Sequence, residues 1–351
     1  MPLNLYTPET MDGVVRVMPR VHTFFKDTFF RTNRPEFTEE VRVDFVKGSR
    51  RVAPFVNIKS KGKVVEKLGY TTDTFKTPFI KVKDVTDIED MLNRLPGELL
   101  QNSGITPLQR GIQLMTDQLL VFEDMMARRE EWMCVQAMME GKIPVVGEGV
   151  EYEIDFGFTN KITPTVLWDA TENTPSPYKD LQAAVLECKQ KGYRTPDIAI
   201  MGRKAWNAFL EATKKDEYYK QQPELFDLVT VKPERRDDAV TFVGRLKDPD
   251  LDIYVYDEWV IDDWTDPENP VEVPLMPENK VLVACTRARY TTYYGLMMFT
   301  DPQTQQFRQI VGTRAADSWI QKEPDARFMT LNARPLPVPH EVDSWCVLTV
   351  C

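Results

Sequence analysis

Apolar residues recur along this chain with two different periods. Between residues 106 and 142, the run TPLQRGIQLMTDQLLVFEDMMARREEWMCVQAMMEGK sets Leu108, Ile112, Met115, Leu119, Phe122 and Met126 at alternating spacings of four and three, which is one face of a helix. A second set, Val121, Met125, Trp132 and Met139, lies beside the first. Thr106 supplies an N-cap, Pro107 suits the first helical position and Gly141 provides a stop. The pattern therefore predicts one helix over 107–140, a strut about 50 Å long. No ligating side chain lies on its methionine-rich stripe, so the stripe reads as packing surface rather than as a cofactor box.

Elsewhere the period is two. Residues 20–45 begin with aromatics, Phe24, Phe25, Phe29 and Phe30, spaced to share a face of a short helix, and pass into the alternation Val41, Val43, Phe45. The next stretch, VKGSRRVAPFVNIKSKGKVVEKLGYTTDTFKTPFIKVKDV, alternates like a strand but has few apolar residues for its length. From 46 to 79 it has room to run out and back as a hairpin reaching about 55 Å. Strands with no face to bury in their own chain belong against something else.

After the long helix, PVVGEGVEYEIDFGF reads as a turn and an alternating strand. Its GxG lacks the third glycine and the following helix of a dinucleotide fingerprint. A helix is expected from about Pro177, a strand over 197–201, a second helix over 203–213, and strands at 240–243, 252–256 and 281–285. This alternation marks an inserted α/β domain, and the closing stretch to residue 351 returns to strand and proline.

Composition narrows the function class. The 351 residues carry a net charge of −10, with 42% apolar and 28% charged residues, which is the balance of a folded globular chain and the wrong sign for gripping nucleic acid. No apolar run is long enough to span a membrane, and the N-terminus lacks the pattern of a secretory signal. The five cysteines show no CxxC spacing, so they are expected to be reduced and structural. His22 and His340 stand at opposite ends of the sequence without ligand spacing, and nucleophile-elbow, P-loop, HExxH and EF-hand signatures are missing. Asp262, Asp263 and Asp266 could hold a cation, although clustered surface carboxylates are usually only solvated. No cofactor, metal or catalysis is expected.

Charge is segregated more sharply than any motif. Residues 47–67 hold seven cations against Glu66 alone, and residues 248–278 hold eleven acids with no lysine or arginine. Such blocks suit surfaces that meet oppositely charged partners.

The segment FFR from Phe29, FTEEVRVDF with the basic arm, the long helix, EGKIPVVGEGVEYEIDFG and the closing DARFMTLNARPLPVPHEVDSWCVLTV together resemble the lambda-type major capsid proteins of tailed bacteriophages, over nearly the whole chain. The resemblance implies the α+β HK97-like capsid fold, with a long spine helix, an extended β-hairpin E-loop, an N-terminal arm and an inserted α/β A domain. Laid on this sequence, the arm is 1–40, the E-loop hairpin 41–85, the P domain 86–176 with the spine helix at 107–140, the A domain 177–290, and the C-terminal P-domain strands 291–351.

It also implies a structural protein of the virion capsid that is not an enzyme, assembled in the host cytoplasm as hexamers and pentamers of an icosahedral shell around phage DNA, bound without sequence specificity. Its expected partners are further copies, a decoration protein, a scaffolding protein and a portal, with no membrane. A mature subunit beginning at Met1 is expected. Some HK97-fold shells cross-link an E-loop lysine to a neighbouring asparagine. Lys59 or Lys61 would be placed for that role here, but no acid–amide arrangement supports it. The expected intersubunit contacts join Arg50, Arg51, Lys59, Lys61 and Lys63 to Glu123, Asp124, Glu130 and Glu131 on a neighbour's helix. An encapsulin-type compartment shell is the alternative within the fold, and an unrecognised α/β enzyme the alternative outside it.

Overall fold

The computed structural model describes residues 23–46, 70–87, 106–147, 149–170, 175–215, 234–235, 239–262, 269–300, 306–322 and 325–351. It is mixed α and β. Its residues divide into two compact units, one of 1–41, 76–133 and 292–337, the other of 42–75, 134–291 and 338–351.

In the first unit, a short helix α1 (Phe24–Thr28) precedes the long helix α2 (Pro107–Met139), whose residues from Cys134 on belong to the second unit. The start of α2 follows its sequence signals. The Thr106 hydroxyl accepts the Gln109 amide N–H at 3.3 Å, while the Gln109 side chain accepts the Thr106 N–H at 2.8 Å, a reciprocal cap. Past its end, Gly141 adopts φ +71, and a Cβ there would lie 2.1 Å from the Phe158 Cβ, so the stop needs glycine. Met115, Leu119, Phe122 and Met126 pack on a three-stranded antiparallel sheet ordered Ala315–Lys322, Asp325–Ala333, Ile80–Asp87. Their counterparts on the sheet are Ala316, Met329, Leu331 and Ala333, with Ile80 and Val82 at the margin. The expected stripe is core from Met115 onward. Leu108, Val121 and Met125 are exposed instead.

The second unit is built on a seven-stranded mixed sheet. Its order is Lys161–Ile162, Cys346–Thr349, Lys280–Ala284, Ile198–Met201, Leu251–Tyr256, Val240–Leu246, Glu234–Arg235. Ile198–Met201 pairs parallel with Leu251–Tyr256 and antiparallel with Lys280–Ala284. The chain's last strand thus lies inside the same sheet as strands from 177–290. Helices α3 (Pro177–Lys191) and α4 (Arg203–Lys215) cover it, burying Leu181, Val185, Trp206 and Phe209 against Ile253, Val281 and Leu348. The central strand is buried at all four positions, as a strand covered on both faces must be.

Candidate functional site

Four pairs of strands among the described residues form two-stranded ribbons: Glu40–Val46 with Tyr70–Lys76, Lys142–Gly147 with Val150–Asp155, Trp259–Asp262 with Val271–Pro274, and Met297–Thr300 with Phe307–Ile310. A lone two-stranded ribbon is at best marginal in water and needs packing against a further surface. Large apolar side chains stand exposed on three of them, Val146 and Val150, Ile261 and Val271, Met298 and Phe307, the last at 75% exposure. In Tyr70–Lys76 the residues Thr71, Thr72, Asp73 and Thr74 are all exposed. Each ribbon buries one face, through Val43, Ile143, Val260 and Met297 in turn, and leaves the other face bare.

The carboxylates of α2 behave in the opposite way. Glu123 and Glu130 are seven residues apart and share a face, on which both are buried. Arg314, in the residue before strand Ala315–Lys322, donates from Nε to Glu123 Oε2 at 2.8 Å and from Nη1 to Glu130 Oε1. Lys26 of α1 donates its Nζ to the other Glu130 oxygen, and the Tyr294 hydroxyl lies 3.4 Å from both. Burial pushes the Glu130 carboxyl up, but the facing Arg314 and Lys26 charges outweigh it and hold the group down at about 2. The same burial raises Tyr294 to about 12, with Glu130 adding to it.

Glu131 has a separate task. Its Oε1 accepts the Phe25 N–H at 2.6 Å and its Oε2 the Lys26 N–H at 2.9 Å. Thr23 makes no side-chain cap bond, so a carboxylate from another helix caps α1. Phe25, Phe29 and Phe30 are buried around it.

Three of the four helix carboxylates expected to meet a neighbour are therefore buried and paired inside the chain. Asp124 stays at the surface and pairs with Arg128 at 3.0 Å. Arg50, Arg51, Lys59, Lys61 and Lys63 lie outside the described residues, as do Asp263, Asp266 and His22. Asp262 lies at the end of its ribbon strand, and among the described residues no His, Cys, Asp and Glu cluster could hold a metal ion. The cysteines are all free thiols, four of them buried. His340 lines a cavity of about 750 Å³ in the second unit, together with Phe45, Arg194, Arg289, Glu341 and Asp343. Arg194 grips Glu341 through two bonds, at 2.6 and 2.7 Å, and Asp343 accepts the Thr159 amide and hydroxyl.

Ribbons with one bare face, among the described residues, suit a chain that is completed by neighbours. The family model "Phage major capsid protein E" matches residues 7–350. The chain belongs to that family. The major capsid protein of Escherichia phage lambda is 24% identical over 355 residues, covering 98% of each chain. That of Enterobacteria phage phi80 is 25% identical over 354 residues, again covering 98% of each. In fold, this capsid protein matches the crystal structure of the putative capsid protein of a prophage of E. coli CFT073, with a TM-score of 0.70 at 19% identity over 98% of this chain and 99% of that one. The α+β architecture is thus the HK97-like capsid fold, and the chain is a structural protein of the phage shell. No helix among the described residues is long and apolar enough to cross a membrane.

Proposed function

We propose that this capsid protein assembles as hexamers and pentamers into an icosahedral shell around phage DNA, with its E-loop hairpin laid across a neighbouring subunit. The ribbon Glu40–Val46 with Tyr70–Lys76 carries the reading. Among the described residues it pairs with no third strand, and it leads into residues 47–69, which hold the block of cations. Like charges on a thin hairpin repel unless an outside surface compensates them. A neighbour's α2 offers only Asp124 of the four expected carboxylates. The acid-rich stretch 248–278 is the alternative complement for Arg50, Arg51, Lys59, Lys61 and Lys63, although Asp250, Asp257 and Glu278 there already pair with Arg245, Arg203 and Lys204.

On this reading the domain roles follow the assignment made above: arm, E-loop, P domain with its spine helix, and A domain joined by the last strand. Scaffolding, decoration and portal proteins are the foreign partners, assembly takes place in the host cytoplasm, and the shell encloses DNA without binding a sequence. The net charge of −10 suits a wall that DNA slides past. No catalytic role is proposed.

The test replaces Lys59, Lys61 and Lys63 together with Glu and follows assembly by electron microscopy and sedimentation at low and high salt. The expected outcome is a folded subunit with few or fragile shells. Wild-type yield and stability at every salt concentration would remove the charged arm from the mechanism.

A further inference from the structure

One face of α2 is covered at one end and bare along the rest. Glu131, where α1 docks, is in line with Asp124, Leu120 and Asp117, because steps of seven, four and three residues return to the same side of a helix. Toward the C-terminal end of α2, residues 133–135 and 137–139 are all buried. In the other direction, Leu120 is 40% exposed, Val121 50% and Met125 47%, apolar surface on either side of Asp117 and Asp124, the latter paired with Arg128.

We propose that residues 14–21 of the chain's own N-terminal arm dock on this face in the unassembled subunit. Three observations select that occupant. The segment is tethered two residues from Thr23, whose helix α1 already holds Glu131 on this face. Its sequence, VVRVMPRV, is apolar and basic with no acid, the complement of an apolar strip with acids along its middle. Its spacing also fits. Arg16 and Arg20 are about 13 Å apart in an extended chain, and Asp117 and Asp124 are about 10 Å apart along the helix, so Arg20 meets Asp124 and Arg16 meets Asp117. Pro19 and the β-branched valines favour an extended conformation. The docking is intramolecular and precedes any contact between copies, so it stands apart from the E-loop reading.

The experiment uses the full chain as unassembled subunits, with isotopically light and heavy preparations mixed. One variant carries Arg20→Cys with Asp124→Cys, the other Arg16→Cys with Asp117→Cys; all four are surface or arm positions, and thermal unfolding of the reduced proteins checks the fold. After mild oxidation with oxidised glutathione, peptide mapping should find each engineered pair joined light to light and heavy to heavy. Mixed light–heavy links would show a second copy on this face, and no link in either variant would leave the face to another partner; both results overturn the proposal. An independent reading is tryptic cleavage after Arg16 and Arg20, which Met125→Glu should accelerate by about tenfold as the docked state is lost. Unchanged cleavage rates would also overturn it.

Discussion

The seven-stranded sheet and the α2 ion cluster solve the same problem, filling an interior, with different chemistry. In the sheet, Leu181, Phe209, Ile253, Val281 and Leu348 meet as apolar side chains whose attraction has no direction. Around α2, Glu123 and Glu130 are buried only because Arg314 and Lys26 arrive from distant parts of the chain with matching geometry. Burying charge costs several kcal/mol per ion, which offsets much of what the pairing contributes, and the geometry the pairs demand restricts which segments can meet. We read the sheet as a body that folds on its own terms and the cluster as a lock holding the arm helix and the strand after Arg314 to the strut.

The sharpest way to break this comparison is Arg314→Met, which strands two buried carboxylates with Lys26 alone. It should cost about 3–5 kcal/mol in denaturant titration of the subunit. A loss below about 1 kcal/mol would show that the cluster is not a lock. Acid tests the same point without mutation. Glu130 falls from an ordinary value of 4.5 to about 2 on folding. Its contribution is therefore fully present above pH 4.5 and lost as pH falls toward 2, up to ~3 kcal/mol. Hydrogen exchange should show α1 loosening in that window while the central strand Ile198–Met201 stays protected; protection lost together in both would put the acid sensitivity elsewhere.

Smaller changes sharpen the contrast. Glu131→Gln keeps one acceptor for the Phe25 and Lys26 amides but loses the charge, and should cost about 1–2 kcal/mol, seen as faster exchange of those two amides. Leu282→Met, a volume-conserving change at the centre of the sheet, should cost less than ~1.5 kcal/mol in the same titration. Asp124→Asn removes only exposed pairs, with Arg128 and, on the docking proposed above, with Arg20, and should stay within ~1 kcal/mol. A larger effect from Asp124 in the isolated subunit would mean that the helix surface carries more than a solvated ion pair.

Much of the fold was legible because its signals are local. Thr106, Pro107 and Gly141 bracketed α2 to within a residue of its observed end at Met139. The strands expected at 197–201, 240–243, 252–256 and 281–285 and the helices from Pro177 and Arg203 all lie where hydrophobic runs and breakers put them. What misled was charge on a helix. Glu123, Glu130 and Glu131 read as surface acids, since the residue that justifies burying two of them, Arg314, lies more than 180 positions away. The amides that justify Glu131 belong to a helix too short to announce a cap. One signal was available: Glu123 and Glu130 stand on the helix side where Met115, Leu119 and Met126 predicted core, and acids inside an apolar stripe ask for a partner. Val121 and Met125 erred in the other direction, since apolar spacing cannot show which part of a long helix the sheet covers.

The cluster also bears on how the sequence can drift. A core of Leu, Val and Ile can exchange members one at a time through steps that each cost little. Lys26, Glu123, Glu130 and Arg314 have no such path, because any single replacement leaves an unmatched charge in the interior. A lineage that loses Arg314 should also neutralise Glu123 or Glu130, so these positions, scattered across almost three hundred residues of chain, are expected to change together.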